Sequence, residues 1–148
     1  MKSKILATLI ISLGLGFGAG TAYAESVTIG TPITDTECDA IGEDVNPSLS
    51  KGVHAAFKCD NAKNLITVGA CHENGRKKVE KIPCAIIGEW GGEVKWNGTC
   101  ANADDTVDTT VDIGKGYIGS NAGGSVAGAA LDAACSDDSV DDLTPDVS

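Results

Sequence analysis

Val53-His54-Ala55-Ala56-Phe57-Lys58-Cys59, the polar loop Asp60-Asn61-Ala62-Lys63-Asn64, and the run from Leu65 to His72 that ends at Glu73-Asn74-Gly75-Arg76 decide how this chain is read. Val53, Ala55, Phe57 and Cys59 alternate with His54, Ala56 and Lys58, the period of a half-buried strand. The loop turns the chain back, the second run is again extended, and Asn74-Gly75 offers the two positive-φ positions that a type I′ hairpin turn takes. A two-residue turn there places Glu73 opposite Arg76 and Cys71 opposite Lys78, which argues against a Cys71–Cys84 bond. Pairing through the 60–64 loop with Cys59 opposite Leu65 places His54 opposite Ala70 and diagonal to His72.

Downstream, Trp90-Gly91-Gly92-Glu93 reads as a second tight turn into Val94, Lys95 and Trp96, and Asn97-Gly98 as another turn before Cys100. Thr106 to Ile113 alternates apolar residues with Thr and Asp, as a final strand would. Upstream, Val27, Ile29 and Ile33 with Pro32 suggest a short edge strand, and 35–50 suggests loop with one short helical turn. The fold class expected is mainly β, a small disulfide-stapled antiparallel meander or sandwich with a short C-terminal Ala-rich helix over 125–134, capped near Asn121 or Ser125. Residues 114–124 read as a Gly-rich loop, and 136–148, with five aspartates, as a disordered acidic tail.

Lys2 and Lys4, the apolar run Ile5 to Phe17 and the small-residue pattern Ala22-Tyr23-Ala24 read as a signal peptide over 1–24, cut before Glu25. Residues 25–135 then form a single disulfide-stabilised domain, with no later run long enough to span a bilayer. Export implies a periplasmic or extracellular location, where Cys38, Cys59, Cys71, Cys84, Cys100 and Cys135 are expected to form up to three disulfides, their pairing undetermined by sequence.

Charge is unevenly distributed in a chain whose formal net charge is -10. Residues 25–50 carry six acids and no base, 51–100 eight bases against five acids, and 101–148 ten acids and one lysine. Such a field disfavours nucleic acid and anionic lipid as partners. Arg76, Lys77, Lys78 and Lys81 form its one basic cluster, beside the expected 73–82 hairpin tip, suited to a carboxylate-bearing protein or an anionic polysaccharide.

Other motifs carry less. Gly114 to Gly119 fits G-x-G-x-x-G but lacks the parallel βαβ context of a dinucleotide site. Asp104, Asp105, Asp108 and Asp112 do not reproduce a calcium loop and read as a solvated acidic face. Cys71 and His72 adjoin in sequence but point to opposite faces of a strand, and His54 with His72 lacks a third metal ligand. Asn97-Gly98-Thr99 fits the glycosylation sequon, a frequent chance match. No catalytic arrangement, metal site or cofactor is expected. The function expected is an exported non-catalytic binding or surface-assembly protein, with self-assembly one form of it; the alternative is a small secreted protease or hydrolase inhibitor presenting the 73–82 hairpin.

Overall fold

The computed structural model describes residues 24–28 and 31–147; the signal-peptide reading lies, apart from Ala24, outside them. A five-stranded antiparallel sheet runs in the order β1 (Ala24–Ser26), β2 (Val53–Asp60), β3 (Leu65–His72), β8 (Lys115–Ser120), β9 (Val126–Ala130). Two ribbons lie beside it, β4 (Lys81–Pro83) with β7 (Thr106–Asp108) and β5 (Ile86–Trp90) with β6 (Glu93–Trp96), and one helix follows, α1 (Asp137–Leu143). The fold is thus mainly β, with antiparallel sheets, one short C-terminal helix and three disulfides, as expected.

Strand alternation gives the sheet two unlike faces. The inner face presents small side chains, among them Ala56, Ala127 and Ala129, together with Leu65, Thr67 and Ile118. Ile87 and Trp90 of β5, then Val140 and Leu143 of α1, then Val147, pack onto it and complete the core. Three polar side chains in this layer are paired with carbonyls of neighbouring segments: Thr67 Oγ1 donates to that of Pro145, the Trp90 indole to that of Asp146, and Ser120 Oγ to that of Ile87. On the outer face residues 27–28 and 31–45 cover β2, tying down Phe57 and, through Cys38–Cys59, the end of the strand.

The disulfides are Cys38–Cys59, Cys71–Cys135 and Cys84–Cys100, and Cys71 does not pair with Cys84. Three such bonds fit an oxidising, extracellular or periplasmic environment. No helix among the described residues is long and apolar enough to cross a membrane.

Several local expectations are corrected. Residues 126–130 form the strand β9, not an Ala-rich helix, because pairing with β8 and burial of Ala127 and Ala129 outweigh the helix propensity of the alanines. The helix lies instead in the acidic segment expected to be disordered. Ser136 and Ser139 form a reciprocal capping box, Asp137 and Asp138 occupy the N-terminal turn where negative charge is favoured, and Val140 and Val147 are fully buried. Residues 115–120 are strand rather than Gly-rich loop, and the 106–113 strand is confined to β7, with Asp112 left-handed at φ 66°. The β2–β3 register is one residue from that expected, Cys59 opposite Ile66 and His54 opposite Cys71.

The Asn74-Gly75 turn also differs: the Gly75 N–H donates to the His72 carbonyl, so Glu73 and Asn74 are the central residues and the turn is not type I′. The chain then leaves β3, whose second edge is taken by β8, and no 73–82 hairpin forms. By contrast Gly91 and Gly92, at φ 64° and 76°, make the expected tight turn between β5 and β6.

Gly69 sits directly under α1: a Cβ there would lie 2.7 Å from Thr144 Oγ1 and 3.2 Å from the Val140 carbonyl. Gly69→Val is therefore expected to lower stability by about 1–3 kcal/mol through overpacking. Urea denaturation measures the loss, and faster amide exchange in 137–147 than in β2 shows that α1 lifts first.

Candidate functional site

Among the described residues, nothing beyond the cover formed by 27–28 and 31–45 lies over the outer face of β3, β8 and β9. Val68, Tyr117 and Val126 are 42%, 50% and 76% exposed, and Ile66 and Ala70 border them. Register explains the shape: Tyr117 lies between Ala70 and Gly128, and Gly119 between Val68 and Val126, so the tyrosine ring stands above low ground on either side.

Three shallow grooves meet at Tyr117. One of about 340 Å³ runs over Val68 and Gly119 to Val126. A second, of about 280 Å³, runs toward His72 and Arg76; a third, of about 310 Å³, runs toward Lys81 and Pro83. Lys115 borders both of these, its ammonium 5.8 Å from the centre of the Tyr117 ring and 3.1 Å from a Glu80 carboxylate oxygen. The result is an apolar centre rimmed by Arg76, Lys81 and Lys115.

The structure divides the basic cluster. Arg76 and Lys81 flank Tyr117, whereas Lys77 and Lys78 are exposed and border none of the three grooves. Their backbone is pinned, the Asp112 N–H donating to the Lys77 carbonyl and Thr109 Oγ1 to that of Lys78. Sequence reasoning missed Tyr117 and Lys115 because it treated 114–124 as loop. The alternation of Lys115, Tyr117 and Gly119 on one face was the available signal.

The remaining motifs have structural partners. Asn97 is buried, its Oδ1 accepting from the Ala85 N–H and its Nδ2 donating to the carbonyls of Pro83 and Gly128, so the sequon has no accessible amide. Asp105 Oδ2 accepts from the N–H groups of Ala101 and Asn102, and Asp108 pairs opposite Lys81 across β4 and β7. His54 and His72 fall on opposite faces, and among the described residues no group of three or more His, Cys, Asp or Glu side chains is placed to hold a metal ion. Cys71 is sealed in its disulfide.

His54 instead joins α1 to the end of β3. Its Nδ1 lies 2.7 Å from an Asp137 oxygen and its Nε2 3.1 Å from a Glu73 oxygen. Hydrogen bonding to Asp137 first and Glu73 second raises its pKa above the ordinary 6.5, against partial desolvation. No family model matches the chain, and neither a curated protein nor a solved structure matches it.

A raised folded-state pKa means that the His54 contribution is fully present below the unfolded value near 6.5 and is lost as pH rises through the folded value. Thermal midpoints followed from about pH 6 to about pH 8 are expected to fall in the unaltered protein and to fall less in His54→Gln. Equal slopes in the two proteins count against this bridge.

Proposed function

We propose that this is an exported, non-catalytic binding protein whose bare sheet face docks a partner protein carrying acidic groups. The observation that carries the reading is Tyr117, half exposed at the junction of three grooves and surrounded by exposed valines and a cationic rim. An apolar, aromatic centre within a polar border is the anatomy of protein–protein recognition, and tyrosine and arginine are the residues that most often dominate its energy. The exposed β-branched side chains favour a protein over a polysaccharide, because only a partner with apolar surface of its own gains by covering them. Three disulfides and the N-terminal export pattern support a periplasmic or extracellular setting.

The inhibitor alternative depended on a rigid projecting 73–82 hairpin. That stretch forms no hairpin: Thr109 exchanges hydrogen bonds with Glu80, and β8 takes the second edge of β3. The binding reading therefore draws on the sheet face rather than on the loop.

Pull-down with the mature protein from the envelope and medium of its own cells is expected to recover a protein partner. Tyr117→Ala should then weaken binding at least tenfold, about 1.4 kcal/mol. Arg76→Glu and Lys81→Glu should weaken it in a salt-dependent manner, and Lys77→Glu much less, with thermal midpoints nearly unchanged. Unaltered affinity in Tyr117→Ala, or recovery of polysaccharide alone, rejects the assignment.

A further inference from the structure

A separate cavity of about 290 Å³ lies where the end of β9, the turn after β6 and α1 meet. Ile118 is the one lining residue it shares with a Tyr117 groove, and since the Ile118 and Tyr117 side chains point to opposite faces of β8, the cavity lies on the other side of the sheet from those grooves. Its lining is chemically one-sided. Val107, Leu131, Leu143 and Pro145 supply apolar walls and the half-buried Trp96 an aromatic one, whereas Asp132 and Asp142 are exposed at its border.

No lysine, arginine or histidine lines the cavity. Neither carboxylate has a hydrogen-bond or ion-pair partner among the described residues; the cavity's buried Asn97 and Ser139, by contrast, are fully engaged in holding the fold. The Trp96 indole also has no partner among the described residues, whereas that of Trp90 is committed to Asp146.

We infer that this cavity binds an organic cation, an alkyl-ammonium or alkyl-guanidinium, with its stem against Trp96 and Leu143 and its charge between Asp132 and Asp142. Three features select that class. Apolar walls favour a hydrocarbon stem, two unpaired carboxylates favour a cation over an anion, and an aromatic face adds attraction for a cation near it. The volume is that of roughly ten water-sized groups, enough for one such side chain or small amine and too little for a folded segment. The cation could come from a free amine or from a lysine or arginine displayed on a peptide, and the chemistry recognised is the same in both.

The test uses butylguanidinium, butylammonium, neutral butylurea and the peptide acetyl-Gly-Arg-Gly-amide, followed by Trp fluorescence and by amide chemical shifts at Thr99 and Ala133. Saturable binding of the cations is expected, with Asp132→Asn and Asp142→Asn each weakening it about tenfold, and with the fluorescence response lost in Trp96→Phe while the shifts at Thr99 and Ala133 persist. Tighter binding of the peptide than of butylguanidinium assigns the source to a displayed side chain; the reverse order assigns it to a free amine. Both substituted aspartates are exposed, and an unchanged thermal midpoint confirms that the variants fold. Butylurea binding as tightly as butylguanidinium, no saturable response to either cation, or wild-type affinity in both Asn variants overturns the inference.

Discussion

The sheet has little bulk of its own on the inner face, and whatever covers that face must come close to its backbone. At Gly69 and Gly116 even a methyl group would collide with α1 or with the residues beside it. Approach at this distance lets a seven-residue helix, far too short to persist alone, gain its stability from contact. It also explains how a chain with only 4% aromatic residues assembles a core, because shallow layers need fewer large side chains to be filled.

Each disulfide secures one cover to what it covers. Cys38–Cys59 holds residues 31–45 over the outer face of β2, Cys71–Cys135 anchors the approach to α1, and Cys84–Cys100 closes the excursion that carries β5 and β6. With its cysteines separated by 64 positions in the sequence, Cys71–Cys135 removes about 4 kcal/mol of loop entropy from the unfolded chain in the simplest treatment. His54 adds a second, non-covalent clasp at the same helix end. The N-terminal cover stops short of β8 and β9, leaving Tyr117 and its neighbours bare; that exposure follows from how far the cover extends and not from any strain in the strand. The free edge of β9 is partly blocked, since Asn97 takes the Gly128 carbonyl.

Local pattern made the β2–β3 pair and the Gly91-Gly92 turn legible, because alternation and turn chemistry are properties of adjacent residues. What pattern could not supply was competition. Asn74-Gly75 is a strong hairpin signal, yet β8 already occupies the edge that a return strand would need. Val126 to Ala130 has small residues tolerated by helix and strand alike, and only pairing with β8 decides between them. The segment after Cys135 looked disordered by its aspartates; the capping serines and the spacing of Val140 and Leu143 were the contrary signal, and burial against Gly69 and Gly116 gave it force. Of the candidate site, Arg76 and Lys81 were legible as charges, but Tyr117 became visible only once 115–120 was a strand with one face uncovered.

The two proposed recognition surfaces sit differently in the field of the whole molecule. A chain with formal net charge -10 repels an acidic partner until it comes within about one Debye length, roughly 8 Å at physiological salt. Arg76, Lys81 and Lys115 can therefore orient such a partner at contact but cannot draw it in from a distance. Affinity on that face has to come from covering Tyr117, Val68 and Val126. The cavity between Asp132 and Asp142 is in the opposite position, because the summed field attracts a cation from afar and the apolar wall retains it on arrival. Placing the cationic rim on the outer face of the sheet, away from those carboxylates, keeps each charge from being quenched by the other, and this is what allows one small acidic protein to present both.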